Sequence, residues 1–227
     1  LKPTSGEILF KEEKLKYDKR SLYNLRKNVG IVFQDPEKQI FYSKVYDDIA
    51  FAMRNIGMDE KTIKERINKA LVAVNGIDFI DRPVHFLSYG QKKRVAIASV
   101  IAMENEIVLL DEPTAGLDPK GRDDILTQIK KLHDNYGMTI ILVSHSMEDV
   151  ANIADKVIVM NNGSVELQGP IDTVFKEVEK LESIGLAVPQ VTYLMLKLKS
   201  LGFDVSDGIY TIKQAKEEII KLLNKNN

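Results

Sequence analysis

The residues most able to do chemistry are Asp111 and Glu112, which close the run IVLLDEP. The four apolar residues Ile107–Leu110 predict a buried strand, and Pro113 prevents its simple continuation. Ligands of open α/β sheets bind at the carboxyl ends of the strands, which is where this acid pair falls. One carboxylate can hold Mg²⁺, a hard cation that prefers oxygen ligands. The other can orient or deprotonate a water, help worth roughly 10²–10⁴-fold. The plain alternative is a strand end whose acids cap the next turn.

Three further stretches carry similar potential. In LSYGQ, Leu87–Gln91, Ser88 suits an N-cap and Gly90 allows close backbone approach. Free N–H groups and the helix dipole would favour an anion there, with Lys92, Lys93 and Arg94 adding positive charge. An ordinary capped helix with a solvated basic turn fits the same residues. In ILVSHS, His145 follows another apolar run and could reach a terminal phosphate or an attacking water; a lone histidine is also commonly structural. In VFQDP, the amide of Gln34 could meet both a metal and the attacking water. His85 and His133 lack such a setting and are assigned nothing.

Positioning these groups requires a particular frame. Apolar, β-branched runs recur at Glu7–Phe10, Val29–Phe33, Ile107–Leu110, Thr139–Val143 and Val157–Met160. Several show no polar alternation, which predicts strands buried on both faces of a parallel sheet. Helical patterns lie between the later runs: Asp118-Pro119 reads as N-cap and N1, Ile125, Leu126, Ile129 and Leu132 share a face, and Gly137 is a stop. Asn161–Gly163 predicts a turn into a last short strand, Ser164–Leu167. This order predicts an α/β sheet with crossover helices. The block from Pro36 to Asn105 reads as mostly helical, with one helix over about Glu60–Asn75 and another starting at Ser88. Beyond Gly169-Pro170, one helix opens at Pro189 and closes at Gly202, and a Lys/Glu-rich amphipathic helix starts at about Gln214. Their apolar stripes read first as packing surfaces.

Bulk properties narrow the function classes. The chain has 227 residues and a net charge of −1, so no basic field points to nucleic acid as a partner. With no cysteine, disulfide and thiol chemistry are excluded. Val95–Met103, interrupted by Ser99, is about half the roughly 20 apolar residues that span a bilayer.

Taken in order, Gln34, Leu87–Gln91, Ile107–Glu112, Ala115–Asp118 and His145 resemble the Q-loop, signature, Walker B strand, D-loop and switch histidine of the ATP-binding-cassette (ABC) transporter ATPases. The resemblance covers about residues 1–170. It implies an α/β fold, a RecA-like P-loop NTPase core (1–35 and 106–170) with an inserted helical signature subdomain (36–105) and a C-terminal helical appendage (171–227). It also implies ATP and Mg²⁺ as ligands and a head-to-tail dimer in which each ATP lies between the Walker motifs of one subunit and the signature of the other. By position, Asp111 and Gln34 would help hold Mg²⁺, Glu112 would polarise the attacking water and His145 would contact the γ-phosphate. Gln34 would also couple to the transport partner, Ser88, Tyr89, Gly90 and Gln91 would bind ATP, and Asp118 would reach across the dimer.

Two departures stand out. Tyr89 occupies a position that is usually glycine in the signature, but its backbone N–H can still donate. The family's phosphate loop, G-x-x-x-x-G-K-[ST], and its adenine-stacking aromatic are not among these residues. The chain begins at Leu1 rather than Met, so upstream codons are expected to encode that loop, and the span alone is not expected to hydrolyse ATP.

Within the family, Asp35–Phe41 with Val45–Met53, and Gly185–Gly202, resemble the energy-coupling-factor importers. That branch implies a second ATPase subunit, identical or paralogous, a transmembrane scaffold subunit and a substrate-binding membrane subunit. The place would be the cytoplasmic face of the cell membrane and the solute cobalt or another transition-metal ion. A vitamin importer, a soluble ABC ATPase without a membrane partner, and a non-enzymatic subunit with a dead site are the competing readings.

Overall fold

The computed structural model describes residues 2–225, which divide into two compact units, Leu1–Val143 and Ser144–Asn227. The outermost residues of the expected spans, Leu1, Asn226 and Asn227, lie outside the described residues.

The first unit opens with a small hairpin of β1 (Leu9–Phe10) and β2 (Glu13–Lys14), joined by Lys11 and Glu12 at positive φ. The expected strand Glu7–Phe10 therefore shrinks to its last two residues, because the chain turns back at once. Helix α1 (Lys19–Asn28) follows, started by the Asp18 carboxylate, which accepts from the N–H groups of Arg20 and Ser21. Then come β3 (Val29–Val32), the helices α2 (Val45–Asn55), α3 (Glu60–Ala73) and α4 (Tyr89–Ile101), β4 (Ile107–Asp111), α5 (Pro119–Tyr136) and β5 (Thr139–Val143).

Strands β3, β4 and β5 form one parallel sheet in that order, with Val32 opposite Leu110 and Leu110 opposite Leu142. The expected parallel pairing is present, but burial on both faces is not. Val32, Val108 and Leu110 are buried on one face, whereas Ile31, Ile141 and Val143 on the other are 47%, 46% and 51% exposed. Helices α4 and α5 pack against β3 and β5. At Gly30 a Cβ would stand 2.3 Å from Val100 and 2.7 Å from Asn105, so the glycine permits the close approach of α4 to β3.

Helices α2, α3 and α4 pack on one another through Ile49 and Met53, Ile63, Ile67 and Leu71, and Val95 and Ile97, all buried. The i, i+4 spacing in α2 and α3 makes one face of each apolar, whereas α4 is buried almost all round, from Lys93 to Ile101. Helix α5 begins and ends as its sequence predicts, with Asp118 accepting from Gly121 N–H, Pro119 in the first turn and Gly137 in the left-handed region at φ 64°.

The second unit contains α6 (Met147–Ile153), β6 (Lys156–Asn161), β7 (Ser164–Pro170), α7 (Ile171–Phe175), α8 (Val178–Ser183), α9 (Gln190–Ser200) and α10 (Ile212–Lys225). Asn162 and Gly163, both at positive φ, make the two-residue turn between β6 and β7, an Asn-Gly pair suited to a twisted hairpin. Val150, Val159, Val174, Phe175, Leu181, Val188 and Tyr210 form its core. Helices α9 and α10 meet through Met195 and Ala215, with Val205 and Ile209 of the connecting loop. Among the described residues, no helix is long and apolar enough to cross a membrane.

Candidate functional site

Parallel pairing brings the candidate residues of the first unit to one edge. Gln34 lies two residues past Val32 and Glu112 two past Leu110, and Val32 and Leu110 are register partners on adjacent strands. The sheet spacing of about 4.8 Å sets the scale of the separation between the strand ends. Asp111 closes β4 opposite Val143 and is exposed. Glu112 has φ 45°, a left-handed backbone that is uncommon for a residue with a Cβ. Its N–H donates to the Val143 carbonyl at 2.9 Å, and its own carbonyl accepts from Ala115 N–H at 3.1 Å. The chain thus turns sharply at the carboxylate and runs directly to Gly116, Leu117 and Asp118.

The turn from Leu87 to Gln91 is a capping box. The Ser88 hydroxyl accepts from Gln91 N–H at 3.3 Å, while Gln91 Oε1 accepts from Ser88 N–H at 2.9 Å. Ser88 remains exposed and Gly90 half-buried, so the first turn of α4 faces open space. Tyr89 does more than replace a glycine. Its hydroxyl donates to the Gln34 carbonyl at 3.2 Å, and its ring lies 3.1 Å from where a Cβ on Gly116 would be. Gly116 has φ 76°, so both its backbone and this ring favour glycine there. Burial raises the Tyr89 hydroxyl above its usual range, helped by the charges of Asp35 and Glu37.

The basic run after the signature does not line an open anion site. Lys92 pairs with Glu37, and Arg94 pairs with Asp124 at 3.0 Å. Lys93 is 1% exposed, and its ammonium donates to the Glu112 carbonyl at 2.7 Å. Burial pushes this amine down to about 8, against the opposing pull of Glu112, Asp111 and Asp35. The sequence held a signal for this that composition hid: Lys93 shares a helical face with Ile97, Val100 and Ile101, all buried.

Asp118 sits at the start of α5 as its N-cap. His145 stands in the second unit, two residues past the end of β5, and is exposed. Its loop is shaped by Ser146, whose N–H donates to the Ser144 hydroxyl and whose own hydroxyl caps α6 by accepting from Asp149 N–H.

The donor set suits magnesium in one respect. Asp111 and Gln34 offer hard oxygen atoms at adjacent strand ends, and among the described residues no group of three His, Cys, Asp or Glu forms a cage. A cation that keeps its waters and binds through one or two side chains plus substrate phosphates fits such a sparse set.

A three-stranded parallel sheet with an acid pair at its carboxyl edge, beside a helix whose capped first turn is open, defines an α/β domain with a candidate ligand site at that edge. The model of the ABC transporter family matches residues 1–115. The energy-coupling factor transporter ATP-binding protein EcfA2 of Clostridium perfringens is 55% identical over 230 residues, covering 100% of this chain and 80% of that protein. The ATP-binding protein EcfA1 of Caldanaerobacter subterraneus subsp. tengcongensis is 46% identical over 97% of the chain and 79% of its own length. Among solved structures, cbiO1 from Clostridium perfringens, described as part of the ABC transporter complex cbiONQ, superposes with a TM-score of 0.74 at 42% identity, over 86% of this chain and 78% of its own. The ATP-binding cassette MJ0796, a dimer in a post-hydrolysis state bound to ADP and Pi, gives a TM-score of 0.67 at 27% identity, over 75% of each chain. The chain belongs to the ABC transporter family, among its energy-coupling factor ATP-binding proteins.

Proposed function

We propose that this chain is the ATP-hydrolysing subunit of an energy-coupling factor importer, peripheral to the cytoplasmic face of the membrane and paired with a second ATPase subunit. The observation that carries the reading is the joining of three motifs at one sheet edge: Gln34 and Glu112 lie just past the ends of adjacent strands, and Tyr89 of the signature turn donates to the Gln34 carbonyl. Glu112 is the residue that polarises the attacking water, and His145 contacts the γ-phosphate. Asp111 and Gln34 hold Mg²⁺, which when bound neutralises charge on the phosphates. Tyr89 and Gly90 present N–H groups and Ser88 its hydroxyl to ATP held by the other subunit, Gln91 closes the capping box that shapes this turn, and Asp118 reaches across the dimer. Phosphoryl transfer is mostly positioning and charge stabilisation, so a site divided between two subunits makes closure of the dimer the switch.

The same reading divides the chain into a RecA-like core of 1–35 and 106–170, a helical signature subdomain of 36–105 and an appendage of 171–227 that helps the ATPases associate. The exposed aromatic group of Phe41 and Tyr42, packed on Phe51 at ring separations of 4.9 and 5.5 Å, suits a grip on helices of a transmembrane scaffold subunit. A separate membrane subunit would bind the solute, for which we name cobalt or another transition-metal ion, with a vitamin as the alternative. Uptake of labelled cobalt, or of a labelled vitamin, by cells carrying the intact transporter decides between the two.

The ATPase assignment is tested with Glu112→Gln in the full-length gene product. The variant is expected to bind ATP, fail to hydrolyse it and accumulate as a dimer on size-exclusion chromatography. Hydrolysis at the wild-type rate, or a monomer in saturating ATP, overturns the role given to Glu112.

A further inference from the structure

We propose that Lys93 is a positioning residue, holding the backbone of Glu112 from the signature helix of the same chain. The inference rests on the ATPase reading above. A lysine ammonium with 1% exposure is costly to bury, and a well-packed apolar side chain would fill the space without that penalty. What the ammonium does instead is donate to the Glu112 carbonyl at 2.7 Å.

That carbonyl belongs to a residue whose backbone needs holding. Glu112 adopts φ 45° immediately after β4 ends, a conformation that persists only where its surroundings fix it. Pro113 follows, so the next peptide nitrogen has no N–H with which to anchor the turn. The residue is held by its own N–H on the Val143 carbonyl, by Ala115 N–H on its carbonyl, and by Lys93 on that same oxygen. The first two contacts come from β5 and from the turn itself. Only the Lys93 contact, of these three, comes from α4. The helix that offers Ser88–Gln91 to ATP bound by the partner thereby also sets the carboxylate that acts on ATP bound by its own chain.

Lys93→Met keeps the length of the side chain and removes the donor. In the full-length protein assembled with its transporter partners, kcat for ATP is expected to fall at least tenfold. The KM for ATP should stay within twofold and the melting temperature within about 3 °C, the range one kcal/mol covers in a chain of this size. A lysine that merely filled space would instead leave kcat alone, with the melting temperature unchanged or raised by the apolar replacement. A kcat within twofold of wild type overturns the proposal, as does a fall in kcat matched by a rise in KM or by a lower melting temperature. If Lys93→Met does not fold, Lys93→Gln is read by the same criteria; failure of both to fold assigns Lys93 to structure and also overturns it. The wild-type rate in the same assay keeps the two readings apart. An inactive wild type refutes the ATPase assignment, while an active wild type with an equally active Lys93→Met refutes only the role of the lysine.

Discussion

At Ser88 an observed helix cap and a proposed phosphate contact fall on one hydroxyl, and different substitutions separate them. Its hydroxyl caps α4 by accepting from Gln91 N–H at 3.3 Å, and the proposed function gives the same exposed hydroxyl to the γ-phosphate of ATP in the partner subunit. Aspartate caps a helix about as well as serine, and its charge favours the helix N-terminus by roughly 0.3–1 kcal/mol, so Ser88→Asp should melt at or slightly above wild type. In a closed dimer the new carboxylate would stand near a phosphate oxygen. Two like charges about 4 Å apart at an effective dielectric of about 20 repel by about 4 kcal/mol, on the order of 10³-fold in rate or affinity. Ser88→Ala reverses the pattern: losing the cap costs about 1 kcal/mol, a fall of roughly 2–4 °C in melting temperature, with a smaller loss of turnover. Melting curves and ATP turnover of the full-length protein with its partners, measured on both variants, give the comparison. A Ser88→Asp protein that turns over ATP within threefold of wild type would refute the phosphate role and leave Ser88 as a helix cap alone.

Two other substitutions test the frame around the site. Gly116→Ala forces a Cβ into a left-handed residue and to 3.1 Å from the Tyr89 ring; the backbone penalty alone is about 1–2 kcal/mol, so both melting temperature and turnover should fall. Asp48, 7% exposed, accepts from the N–H groups of Phe41 and Tyr42 at 3.0 and 3.1 Å, so Asp48→Ala should cost about 1–3 kcal/mol in urea unfolding and Asp48→Asn less. Burial raises the Asp48 carboxyl above 3.8 despite those two bonds. The native state therefore holds this proton more tightly than the unfolded chain, and the stability of wild type relative to Asp48→Asn should decline as pH rises through the acid range above 3.8.

Much of the frame could be read from residue patterns because local and tertiary preferences agree. The unbroken apolar runs of β3, β4 and β5 specified parallel strands, and Asp118-Pro119 and Gly137 marked both ends of α5. Helix α1 left no comparable trace. Its sequence KRSLYNLRKN offers only Leu22 and Leu25 at i, i+3 on its inner face, both half-buried, a stripe too short to stand out, and what starts it is the Asp18 cap. The hairpin of β1 and β2 was equally hidden, since Lys11 and Glu12 take a conformation usually left to Asn and Gly. At the site, strand-end positions of Gln34, Asp111 and Glu112 followed from the runs before them. The helical face Lys93 shares with Ile97, Val100 and Ile101 marked its burial, but the contacts of Tyr89 with Gln34 and of Lys93 with Glu112 did not follow, because both depend on how closely α4 approaches the sheet, and Gly30 is the residue that permits that approach.

The sheet's second face bears on how this polypeptide behaves in a test tube. Ile31 of β3, Leu109 of β4 and Ile141 of β5 are register partners in one row across the three strands, with Phe33 and Val143 beyond the outer two; all but the half-buried Leu109 are about half exposed. Contiguous apolar surface of that kind is adhesive. A preparation of these 227 residues by themselves is expected to scatter more light as concentration or sulfate rises and to brighten an apolar dye such as ANS while still folded. Dye fluorescence in such a sample would report an uncovered strand surface and not a loosened interior, a distinction that matters whenever its foldedness is judged by that signal.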